Sequence, residues 1–138
     1  MSHCYYHALS AVTRWGGSVD DYLVIEQWFD ESKTILADPR HRALRHHAEG
    51  IAVSERFFGV TISNSDGRIV PVRLIGELHV TEDLGHIPSF ADWARLITPA
   101  AWIMRGNPKG SPGLNLAVCH YPITSDREGT RCADITTK

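Results

Sequence analysis

The stretch Asp38–Gly59, DPRHRALRHHAEGIAVSERFFG, constrains the fold more than any other part of this sequence. Asp38 suits an N-cap, Pro39 the first helical position and Gly59 a helix end, so the spacing predicts one helix through the whole stretch. Its second half carries Ile51, Ala52, Val53, Phe57 and Phe58 around most of its circumference, the pattern of a helix covered on several sides. Its first half packs Arg40, His41, Arg42, Arg45, His46 and His47 into two turns, at the end where the macrodipole disfavours positive charge. A central helix with a misplaced basic end calls for a compensating anion, internal or bound.

The flanking sequence supplies the elements that would cover it. A first helix is expected from about His3 to Arg14, capped by Ser2 and ended by Trp15-Gly16-Gly17. Ser18 and Asp21 stand in capping-box register before a second helix reaching about Thr34, with Tyr22, Ile25 and Phe29 inward. Asp20, Asp21, Glu26, Asp30 and Glu31 read as its acidic outer face. Past Gly59 the texture changes from a helical period to alternation, and residues 60–63 and 68–73 flank Asn64-Ser65-Asp66-Gly67 as a β-hairpin with Pro71 on an edge. A helix from Leu74 to about Leu84 is stopped by Gly85 and Pro88, and Ser89 with Asp92 opens a short last helix. Phe29, Ile51, Phe58, Phe90 and Trp93 are expected to share one core.

From Arg105 the composition shifts to a Gly/Pro-rich linker, and little beyond it is built to be buried. The expected architecture is therefore α+β, mostly α: three N-terminal helices, one β-hairpin, two shorter helices and an appended C-terminal tail. Residues 1–104 are expected to form a single globular domain and 105–138 an accessory tail. A chain of 138 residues has room for one real core and not two. Its net charge of −2 argues against a generally basic nucleic-acid binder and leaves a local anion site open. No membrane span or export signal is legible, and three widely spaced cysteines suit free thiols in a reducing cytoplasm.

Two constellations could carry chemistry. His46 precedes Glu49 by three, and His79 precedes Glu82 by three with Asp83 alongside, so each pair can face one partner. With His7 added from the first helix, His46 and His79 could ligate a divalent zinc, iron or manganese ion, and metal-activated water would make the site hydrolytic. Eight histidines also produce such pairs by accident, and His41, on the stripe of Leu44, Ala48 and Ile51, reads first as a satisfied core histidine. The second constellation is Arg40, Arg42 and Arg45, which could hold a phosphate or carboxylate in forked hydrogen bonds. Pairing with the acidic face of the second helix would satisfy them as well.

Trp15-Gly16-Gly17 with Asp21-Tyr22, Asp30 with Ser32-Lys33, Arg40–Leu44 with His46, Ser65-Asp66-Gly67, Ile75-Gly76-Glu77 with His79-Val80, Glu82-Asp83 and Ile87-Pro88 form a combined signature. Over residues 3–104 the chain resembles an uncharacterised family of small bacterial and phage proteins, a domain of unknown function. That family has His where this chain has Glu26 and Gln where it has Leu78. His7, His41, His46, His79, Glu82 and Asp83 fall inside the matching motifs.

These observations give a leading expectation of a small metal-dependent enzyme, a hydrolase acting on a phosphate-bearing substrate. Metal would sit on His46, His79 and a carboxylate, with His7 as a further ligand. Glu82, Asp83 and His41 would be catalytic, and Arg40, Arg42 and Arg45 would bind substrate. The alternative is a non-catalytic accessory protein that binds a nucleotide, a nucleic acid or a protein partner. The oligomeric state is left open.

Overall fold

The computed structural model describes residues 3–98, 100–103 and 105. The chain divides into two units, Met1–Pro99 and Ala100–Lys138. In the second, Ile103 donates its backbone N–H to the Ala100 carbonyl at 2.9 Å in a turn. The expected linker and tail from 106 onward lie outside the described residues, as does the expected cap Ser2.

The first unit is mostly helical, with a two-stranded hairpin after three helices. In order it comprises α1 (Cys4–Trp15), α2 (Val19–Asp30), α3 (Ala48–Phe58), β1 (Thr61–Ser63), β2 (Ile69–Pro71), α4 (Val72–Leu84) and α5 (Phe90–Ala94). Two 3-10 helices, Glu31–Thr34 and Pro39–Leu44, join α2 to α3. Helix α1 packs on α2, both pack on α4, and α3 covers α4 from another side. The core between them is Ala8, Ala11 and Trp15 of α1, Tyr22, Ile25 and Phe29 of α2, Ile51 of α3, Val70 of β2, and Val72, Ile75 and Val80 of α4.

The start of α2 and the hairpin turn hold each other. Asp21 accepts the Ser18 backbone N–H at 2.7 Å, as a capping box requires, and the Ser65 N–H at 3.0 Å. Those bonds, with the Ser65 hydroxyl, lower its carboxyl pKa to about 2. Across the hairpin Ile62 pairs with Val70 and Thr61 with Pro71. Asn64 ties its turn to the core by donating to the Trp15 carbonyl at 3.1 Å and to the Tyr22 hydroxyl at 3.0 Å.

The single helix expected through Asp38–Gly59 is broken. Asp38 does cap, accepting from Arg40 N at 2.8 Å, but what it caps is the 3-10 helix that ends at Leu44. At residues 45–47 the chain turns, and α3 begins afresh with His47 as its N-cap, Nδ1 accepting from Gly50 N at 3.0 Å. Ala48 sends its N–H to the Pro88 carbonyl at 2.8 Å instead of into the preceding turn. A residue with a side chain at 50 would drive its Cβ into the Arg45 backbone, so Gly50 permits the reversal. The break has two consequences. Leu44, Val53 and Phe57 are exposed and Phe58 is only partly covered, while His46 points into the core. Helix α5 is more peripheral than expected: Phe90 is exposed, and the half-buried Trp93 donates from its indole to the His46 carbonyl at 3.1 Å.

Candidate metal centre

Four side chains from three separate segments converge beneath Phe29. Asp30 closes α2, His46 sits in the turn before α3, and His79 and Asp83 share a face of α4 at a spacing of four. One donor atom from each lies within 4.8 Å of every other. His79 Nε2 is 3.1 Å from His46 Nε2, 3.7 Å from Asp83 Oδ2 and 4.0 Å from Asp30 Oδ1, and His46 Nε2 is 3.1 Å from Asp83 Oδ2. Tetrahedral ligation at the zinc–nitrogen distance would put neighbouring donors about 3.4 Å apart, within the span of these separations. Both imidazoles are fully buried, and the Asp30 side chain is only 9% exposed.

Three of the four residues are held from behind by a surrounding layer. His79 Nδ1 lies 2.6 Å from the buried Glu26 carboxyl, the carboxylate–histidine arrangement that aims an imidazole at a metal. Lys33 Nζ holds Asp30 Oδ2 at 2.7 Å, and the Arg42 guanidinium holds Asp83 Oδ1 at 3.1 Å. Asp30 Oδ1 is left buried without a hydrogen-bond partner, facing the cluster, and His46 Nδ1 is unpartnered as well. An unpartnered buried oxygen is costly unless something binds it.

Electrostatics favour neutral imidazoles at the centre. Burial first, then the neighbouring His7 and His46, hold His79 well below the usual histidine range. Burial likewise lowers His46, against the opposing pull of Asp83. Asp83 is itself buried, but the hydrogen bond from His46 and the nearby His7, His79 and Arg42 hold its carboxyl far below the ordinary range. Burial and the nearby carboxylates push Glu26 up, against the field of His7. Neutral imidazole and ionised carboxylate are the states that ligate a divalent cation.

His46 and His79 thus come together as expected, and Asp83, expected to be catalytic, joins them as a possible ligand. His7 stands one step out. Its Nδ1 is 2.5 Å from Glu82, its Nε2 is 3.5 Å from Asp83 Oδ1, and its ring packs 4.1 Å from that of His79. Burial opposes its protonation, but Asp83, Glu82 and Glu26 outweigh that and raise its pKa to about 9. The carboxylates around His7 thus favour its charged form, and its Nε2 is buried without a hydrogen-bond partner. Glu82 is partly exposed and faces His7. His41 is buried with Nδ1 2.8 Å from the Ser32 hydroxyl, outside the four-donor set. Glu49 does not partner His46; it accepts from the Phe90 backbone N–H at 2.8 Å.

The three arginines expected to bind substrate together are dispersed onto different carboxylates. Arg40 pairs with Asp38 at 2.7 Å, Arg42 with Asp83 as above, and Arg45 with Glu31 at 2.9 Å. Arg45 also donates to the Trp28 carbonyl and lies over the Trp28 ring, 4.3 Å from its centre. Of the acidic residues expected on the outside of α2, Glu31 alone pairs with one of these arginines; Glu26 and Asp30 are buried, and Asp21 is bonded to Ser18 and Ser65.

Residues 2–103 match a protein family described as a domain of unknown function, DUF6915. The chain belongs to that family. The match takes in every donor and orienting residue of this centre, from His7 to Asp83. No curated protein and no solved structure matches the chain. No described helix of this family domain is long and apolar enough to cross a membrane.

Proposed function

We propose that this domain binds one divalent metal ion through Asp30, His46, His79 and Asp83, and that the ion fastens the end of α2, the turn before α3 and the face of α4 together. The observation that carries the reading is the buried, unpartnered Asp30 Oδ1, 4.0 Å from His79 Nε2, in a set of two imidazoles and two carboxylates whose donor atoms all lie within 4.8 Å of one another. Four protein donors without a vacant position are the pattern of a metal that holds structure. Zinc, iron and manganese all accept this mixture of imidazole and carboxylate.

A second reading keeps the expected hydrolase. Asp30 contributes the longest of the measured separations, 4.0 Å, and its anchor Lys33 has a side chain 30% exposed. If Asp30 withdrew with Lys33, three donors would remain with room for a metal-bound water, the arrangement that hydrolyses esters. The dispersal of Arg40, Arg42 and Arg45 leaves this reading without a converged phosphate clamp.

Elemental analysis of the chain purified without a histidine tag tests the proposal. One equivalent of divalent metal per chain is expected, and its loss in His79→Ala. Adding zinc to chelator-treated protein at a hundred times Kd should stabilise it by about 2.7 kcal/mol. Absence of both metal and stabilisation would remove the basis for either reading.

A further inference from the structure

We infer that the centre is built for a four-coordinate, zinc-type ion, with Lys33 and Arg42 acting as positioning residues that restrict Asp30 and Asp83 to one ligand oxygen each. This rests on the metal-binding reading above and goes beyond it to the coordination number. A carboxylate with both oxygens free can chelate a cation, and manganese or calcium is filled by such oxygen-rich, high-coordination shells. Here the second oxygen of each carboxylate is already engaged. Lys33 Nζ lies 2.7 Å from Asp30 Oδ2, and Asp83 Oδ1 takes the Arg42 guanidinium at 3.1 Å with His7 Nε2 at 3.5 Å. A histidine supplies one nitrogen, and Glu26 occupies the other nitrogen of His79. The four residues therefore present four atoms.

The surroundings argue the same way. The Phe29 ring stacks on His79 at 4.9 Å between centres and stands edge-on to His46 at 6.0 Å, while the His7 ring packs against His79 at 4.1 Å. The Phe29 ring thus covers one side of both imidazoles with apolar surface, where a six-coordinate ion would need polar partners for additional ligands. The donor chemistry, two imidazole nitrogens and two single carboxylate oxygens, suits the tetrahedral preference of zinc.

Cobalt(II) reports coordination number directly, because four-coordinate cobalt absorbs visible light strongly and six-coordinate cobalt only weakly. The full chain is stripped with chelator and titrated with cobalt chloride. The expected result is one equivalent bound with intense visible bands, displaced stoichiometrically by zinc and not by manganese. In Arg42→Met and, separately, Lys33→Met, the freed oxygen should raise the coordination number, so the bands lose intensity while the stoichiometry stays at one. Lys33→Met keeps the test available if the less exposed Arg42 position does not tolerate change. One equivalent with only weak bands in the parent would overturn the four-coordinate assignment and leave metal binding intact. Unaltered bands in a folded, cobalt-loaded variant would overturn the positioning role of the residue replaced. No cobalt, zinc or manganese bound by the parent would overturn the metal-binding reading itself.

Discussion

Substituting Gly50 by alanine separates a broken from an unbroken helix by the sign of its effect. In the continuous helix that the sequence suggests, Gly50 would be an interior position, and Gly→Ala would stabilise by about 0.5–1 kcal/mol by restricting the unfolded chain. In the structure the new methyl group would fall inside the van der Waals envelope of the Arg45 backbone, whose carbonyl packs against Gly50. Backbone cannot rotate away as a flexible side chain does. Overpacking of this kind costs about 1–3 kcal/mol. Relieving it by moving the turn would also disturb the His47 cap on Gly50 N, 3.0 Å long, worth a further ~0.5–2 kcal/mol. The net expectation is a loss of about 2–4 kcal/mol, a fall of roughly 10–20 °C in thermal midpoint for a domain of this size. Urea and thermal unfolding of chelator-treated parent and variant measure it. Because His46 immediately follows Arg45, zinc affinity should fall in the same variant. A Gly50→Ala variant as stable as the parent, or more so, would refute the broken helix and the placement of His46 that depends on it.

Other outcomes follow from the buried polar groups. Ser32→Ala should cost ~1–3 kcal/mol by leaving the buried His41 Nδ1 without its partner, with zinc affinity unchanged; a collapse of zinc affinity would move His41 into the centre. The metal-free protein should be most stable near pH 6.5–7 in urea titrations. On the alkaline side, the folded-state pKa of His7, about 9, lies above its ordinary 6.5, so its contribution is complete below the latter and lost as pH rises through the former. His7→Gln should make that limb shallower, leaving the part due to Glu26, whose raised pKa acts in the same direction. On the acid side, burial holds His41, His46 and His79 below the ordinary value, so the unfolded chain takes up protons that the folded chain refuses and stability falls. A flat profile between pH 6.5 and 9 would contradict the placement of His7 between Glu82 and Asp83.

Local chemistry is legible in the sequence wherever it is self-contained. The Ser18–Asp21 and Ser89–Asp92 boxes form, the hairpin turns at Asp66-Gly67, and Gly85 ends α4 with a φ of +76°. Each depends on residues a few positions apart. The break at 45–47 depends on a partner forty positions away, the Pro88 carbonyl that takes the Ala48 N–H. Nothing within Asp38–Gly59 announces that competitor, and Asp38, Pro39 and Gly59 satisfy a single helix equally well. The misplaced basic end is the clue. Positive charge at a helix N-terminus is disfavoured, and the structure relieves it by ending the first helical segment before Arg45 and giving the arginines separate carboxylates.

The centre is half legible for a related reason. Histidines at helical spacing from carboxylates suggest ligation and so point to His46 and His79, although the actual polar neighbours of these two are Asp83 and Glu26. Acidic residues on a helix usually belong to a solvated face, and that habit puts Asp30 and Glu26 on the outside. Yet Glu26 follows Tyr22 by four and precedes Phe29 by three, which places it on the very stripe those aromatics define, and both of them are fully buried. Taking a carboxylate out of water costs several kilocalories per mole after relaxation. A carboxylate on an apolar stripe therefore signals a compensating group elsewhere in the chain. For Glu26 that group is His79, fifty-three residues later; for Asp30 it is Lys33 on one oxygen and, on the other, the cation proposed here. The residue that breaks the hydrophobic period is a stronger site signal than the histidine pairs, and reading it requires trusting the period over the charge.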